Sequence, residues 1–177
     1  MPDFPVIENV DAIVISPATP QSIGEALNAM GLGSSAAGWP SNNKAVYTPF
    51  SVFSPVTIVK LFVVNGATVA GNIDVGIYDR GGVRLASAGT NIQSGTSVVQ
   101  EFNITDLNLN PGLYYLAASL SNVTGTLEVW SPTVAIGRSL GIAEQTSAFP
   151  LPATGTLAVL TGTLRVPFVG ATQRTTV

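Results

Sequence analysis

The sequence predicts an all-β domain: an antiparallel β-sandwich, jelly-roll-like, with an extended N-terminal arm. Three observations carry this expectation. Ile73, Val75 and Ile77 interleave with Asn72, Asp74, Gly76 and Tyr78, the two-residue period of a half-buried strand. Turn-forming clusters recur at short intervals: Asn65-Gly66, Asp79-Arg80-Gly81-Gly82, Asn110-Pro111-Gly112 and Asn122 to Gly125. A long irregular stretch then precedes a last alternating segment, an order common in Greek-key and jelly-roll folds. The 177 residues suit one such domain with a sizeable core.

Taken in order, residues 1–44 read as an arm or linker. Gln21 to Met30 has helix signals, with Ser22 as N-cap, Glu25 three residues on and Gly31 as the stop. Gly33 to Gly38 reads as a flexible stretch of small residues. The isoleucines, valines and Leu27 make the arm too apolar for a solvated tail, so it is expected to order against a partner subunit.

Residues 45–170 are expected to form the sandwich. Ala45 to Phe50 is its first strand, and Val56 to Val64 is a long strand apolar on both faces. The 72–78 strand turns at Asp79–Gly82, where glycines suit a tight hairpin, and returns with Val83, Leu85 and Ser87 pointing inward. Val98 to Thr105 places Phe102 and Ile104 on one face and Glu101 and Asn103 on the other. A proline–glycine turn leads to a buried strand from Leu113 to Leu120, and Thr126 to Trp130 begins the next. Ala135 to Gln145 reads as a short helix or an irregular excursion, and Phe149-Pro150-Leu151-Pro152 is excluded from any central strand. Leu164, Val166 and Phe168 alternate in the closing strand, and residues 171–177 form a polar tail.

Charge is the anomaly of the composition. Only 10% of residues are charged, against about 25% in an ordinary soluble domain. A charge-poor exterior is what a permanent assembly leaves on its subunits, because interface cores are depleted in charge. The net charge of −3, with no basic stripe, argues against a nucleic-acid partner. No stretch approaches the roughly 20 apolar residues that span a bilayer, so no membrane partner is expected. Met1-Pro2-Asp3 opens without the basic and apolar regions of a signal peptide. With no cysteine and no histidine, disulfides, structural zinc sites, thiolate nucleophiles and imidazole bases are all excluded. No cofactor is implied.

The stretch from Tyr47 to Ala118 resembles the structural modules of tailed bacteriophages. The residues that carry the likeness are Tyr47-Thr48-Pro49-Phe50, Val69 to Asp79, and Pro111-Gly112-Leu113-Tyr114-Tyr115-Leu116-Ala117. Leu151 to Thr156 and Val166 to Gly170 look similar too. The resemblance implies a β-sandwich virion accessory protein, a capsid decoration or a tail- or fibre-associated subunit. It would be made in the host cytoplasm, form a homo-oligomer, and contact a major capsid, tail or fibre protein. It transfers an architecture and a setting, and no chemical site.

Candidate sites are few, and no enzymatic activity is expected. Paired carboxylates hydrolyse glycosides, and Asp74, Asp79 and Asp106 are the acids near the core strands. Asp74 and Asp79 fall on opposite faces of one strand, while Asp79 and Asp106 occupy ordinary turn positions. No calcium-loop pattern occurs. Trp39, before Pro40, Tyr78, on the polar face of its strand, and Trp130, sharing a face with Thr126 and Glu128, are the candidates for glycan or interface contact. Exposed aromatics on a sandwich stack on sugars, so a carbohydrate-binding module for host-surface glycans is the alternative function. Packing under a loop or against a neighbouring subunit is the competing role for each ring.

Overall fold

The computed structural model describes residues 12–13 and 35–173. The helix expected at Gln21–Met30 lies outside the described residues. The described chain is an all-β sandwich built from antiparallel sheets.

The long strands are β3 (Lys44–Val52), β4 (Val56–Val64), β5 (Asn72–Asp79), β8 (Val99–Leu109) and β9 (Gly112–Leu120). Two nested pairings organise them. β3 lies on β9 along its whole length, from Lys44 opposite Leu120 to Val52 opposite Gly112. β4 lies on β8, from Val56 opposite Leu109 to Val64 opposite Val99. One long ribbon thus folds over at residues 53–55 and 110–111, passing from one sheet to the other. That wrap is the jelly-roll-like feature. Its cause is local, since Pro55 and the Pro111-Gly112 pair interrupt both strands of the ribbon at the same level.

The larger sheet has the order β12-β11-β3-β9-β5-β6, with β7 also on β5. Here β6 is Arg84–Ser87, β7 Asn91–Ile92, β11 Ala143–Gln145 and β12 Ala158–Val159. The second layer joins two small sheets. One is β1 (Ala12–Ile13), β14 (Val169–Thr172), β4 and β8; the other is β13 (Val166–Pro167), β10 (Thr126–Trp130) and β2 (Ser35–Gly38). Phe168 ties them together: its N–H donates to Glu128 O at 2.9 Å and its carbonyl accepts from Val64 N at 3.0 Å.

Between the layers lies the main core, including Val46, Ile58, Leu61, Val63, Ile73, Val75, Ile77, Leu116, Leu120, Leu127 and Val129. A second apolar cluster occupies the outer face of the larger sheet: Ala45, Tyr47, Tyr78, Ala117, Ala143, Ala148 and Leu151. Residues 146–157 run across that face as a strap. Small residues let it lie close. A Cβ added to Gly76 would come within 2.9 Å of Ala86 O and 3.1 Å of Leu151 Cδ1. At the strap's far end Gly155 N donates to Gly82 O at 2.7 Å, and Gly82 holds a φ of 85°, which suits glycine.

Several expectations are corrected. Ser35–Gly38 is not a flexible stretch but a strand paired along β10, and Trp39 and Lys44 behind it are buried, so the sandwich takes in Ser35–Lys44. Ala171 and Thr172 belong to β14 and are buried, so the polar tail starts later than residue 171. β5 is covered on both faces, not half-buried. Val83, Leu85 and Ser87 do not point into the core: Val83 and Leu85 face solvent, and Ser87, opposite Gly76, turns to the outer face, where its hydroxyl donates to Asp74. The 135–145 stretch divides into a helix, α1 (Val134–Ser139), and β11. Thr133 caps α1, its hydroxyl accepting from Ile136 N at 3.3 Å.

Candidate functional site

The three aromatic candidates are all interior. Tyr78 is 0% exposed. Its ring meets Tyr47 edge-to-face, centroids 5.2 Å apart, and its hydroxyl donates to Pro152 O at 2.7 Å. The Tyr47 hydroxyl donates to Gln145 Oε1 at 2.9 Å, and burial pushes its pKa up to about 12. Trp39 sits at the edge of the main core, where its indole N–H donates to Lys44 O at 2.7 Å. Trp130 ends β10 inside the same core. None of the three presents an open ring face for a sugar. The alternation of β5 correctly placed Tyr78 opposite the inner core; the strap, which no local pattern announces, covers that face.

The carboxylates are not gathered either. Asp74 is buried beneath the strap: Oδ1 accepts from Ser87 Oγ at 2.8 Å and Oδ2 from Leu151 N at 3.0 Å. Burial raises its pKa above the ordinary carboxylate range, against the pull of those bonds and the nearby Arg84. Asp79 caps the hairpin by accepting from Val83 N at 2.8 Å. Asp106 is exposed on β8, in the other layer, where β8 bulges against β4. Among the described residues no three acidic side chains stand together as cation ligands would.

Sequence reasoning missed a buried ion pair. Lys44 Nζ donates to Glu144 Oε2 at 2.6 Å, tying β3 to β11. The other oxygen of Glu144 accepts from Thr161 N at 2.9 Å and from its hydroxyl at 2.7 Å. Burial pushes the Glu144 carboxyl up, but the bonds from Lys44 and Thr161 together outweigh it and hold the pKa below the ordinary value. The signal available was slight: a lysine directly before an apolar strand, and a glutamate directly after Ile142-Ala143.

A cleft of about 550 Å³ runs along β6, between Arg84–Thr90 and Pro150. Its polar groups are already engaged, since Asp74 is fully covered and the Arg84 guanidinium donates to Leu151 O. Open apolar surface lies elsewhere, on β12 at Val159, at Val83, Leu85, Ile136 and Leu140, and at both ends of the sandwich. Phe53 is 91% exposed on the loop between β3 and β4. The pairings of Val52 with Gly112 and of Val56 with Leu109 set that loop beside Asn110-Pro111, with exposed Leu113 next to it. At the opposite end Ile92 is 74% exposed, with Val98, Val99 and Val123 also open.

No family model matches this chain, and no curated protein matches it.

Proposed function

We propose that this chain is a non-catalytic structural subunit that works through protein–protein contacts, including contacts with copies of itself. One observation supports this reading above the rest. The ends of the sandwich expose Phe53, Leu113, Ile92 and Val99 on a surface with very little charge to keep it apart from neighbours. Phe53, 91% exposed on the loop tip with Leu113 beside it, supplies the kind of aromatic anchor that interfaces favour. The setting we propose is a virion, as a capsid decoration or tail- or fibre-associated protein. That part rests on the sequence resemblance alone.

The test is the solution mass of the full-length chain by light scattering across a concentration series. A closed oligomer, or a mass that grows with concentration, is the expected result. A monomer at every concentration overturns self-association.

A further inference from the structure

The geometry points to the outer edge of β14 as the acceptor of a strand from a second copy of this chain, the neighbour's residues 12–13. This inference rests on the assembly reading above and names a contact within it. β1 closes one side of the second layer by pairing with β14, Ala12 opposite Thr172 and Ile13 opposite Ala171. Behind β14 the ladder continues through β4 to β8, so this edge offers an aligned row of backbone donors and acceptors. β14 also runs past the two residues that β1 covers, through Gly170 to Val169.

The length of the connection decides where that strand is free to come from. Ile13 and Ser35 are joined by the twenty-one residues 14–34, whose reach is at most ~70 Å, and ~50 Å with Gln21–Met30 helical as the sequence predicts. Within one chain the span is far shorter. Ile13 stands beside Ala171; Ser35 stands beside Val129, and Val129 beside Pro167. Four residues of chain and three strand spacings bound the distance at about 30 Å. Even the shorter reach is more than the chain needs, and exceeds the ~40 Å width of a domain this size. A two-residue strand on that tether makes the same backbone pairing on its own β14 or on a neighbour's, the condition for strand exchange. Once subunits are held together, the neighbouring edge is present at an effective concentration comparable with the chain's own. The exchanged strand then adds a ladder to the subunit contact, whereas a strand folded back on its own chain adds nothing to it.

The chain has no cysteine, so introduced pairs report cleanly. Facing residues of an antiparallel ladder lie within disulfide reach. The full-length Ala12→Cys/Thr172→Cys double variant is oxidised at concentrations where light scattering finds the oligomer, then run on a non-reducing gel. Exchange predicts covalent dimers or a ladder that reductant dissolves, at least tenfold above either single-cysteine variant. The Ile13→Cys/Ala171→Cys pair should repeat the pattern, which covers loss of folding in either variant alone. Bonds closed within one chain, or no bond in either variant, overturn the exchange. An oligomer with only intrachain bonds defeats the exchange while leaving the assembly reading intact. A monomer throughout defeats both.

Discussion

Each layer of this sandwich carries a lysine–glutamate ion pair, one on an outer face and one on the inner side, and the two differ in how they meet water. On the second layer, Lys60 Nζ meets Glu101 Oε2 at 2.8 Å across β4 and β8, with the glutamate side chain 31% exposed. On the larger sheet, Lys44 meets Glu144 at 2.6 Å, with both side chains under 10% exposed. The first pair is open to water chiefly on its glutamate side, the Lys60 side chain being 13% exposed, so its attraction is partly screened. The second is closed in by the surrounding chain and holds its charge only because Lys44 and Thr161 replace the lost water. The same two residue types thus decorate one face and are built into the other. The difference comes from strand alternation: Lys60 and Glu101 face away from the main core, whereas Lys44 and Glu144 share the inner side of their sheet with Val46.

The largest expected effect follows directly. Glu144→Ala leaves the Lys44 ammonium buried without its partner and should cost about 3–5 kcal/mol, read as a lowered denaturant midpoint. Lys60→Ala should cost under about 1 kcal/mol, and equal losses would break the distinction. Next in size is the strap itself. Leu151→Ala removes its apolar anchor over Gly76 and should cost about 2–5 kcal/mol in the same assay. Tyr78→Phe removes only the hydroxyl bond to Pro152 O and should cost about 0.5–1.5 kcal/mol.

The smallest effects are in the pH dependence, where two carboxylates oppose each other. Glu144 has a depressed folded pKa, so its contribution is full above the unfolded value and is lost as pH falls through the folded one. Asp74 has a raised folded pKa, so its contribution is full below the unfolded value and is lost as pH rises through the folded one. Denaturant midpoints across the acid range should separate them. Glu144→Gln is expected to flatten the loss of stability toward acid, and Asp74→Asn the loss toward neutral pH.

The same contrast shows where the sequence was legible. Val56–Val64 was read to the residue and the start of β10 was read at Thr126, because turn signals bound them and their apolar residues are local. The sandwich followed from the short strands and their spacing, and its jelly-roll-like character from the long irregular stretch before the last strand. Ser35–Gly38 was not legible, since serine, alanine and glycine carry no strand preference and pairing with β10 alone makes them one. Tyr78 and Asp74 were placed on the correct side of a strand read as half-buried, with packing under a loop one of the readings for Tyr78. Their cover comes from Leu151 and Pro152, more than seventy residues later. Lys44 was assigned to the arm because its partner lies 100 residues away. Local periodicity fixes which way a side chain points; only the tertiary fold decides whether water is there.

If contacts between copies are the function, they should form at the open ends of the sandwich and spare the strapped face. Hydrogen–deuterium exchange of the full-length chain, compared at low and high protein concentration, measures this most directly. The expected result is added protection at high concentration over Phe53–Pro55 and Asn110–Leu113, with residues 146–157 unchanged. Exchange that is independent of concentration everywhere, or protection gained across the strap instead, would contradict the account.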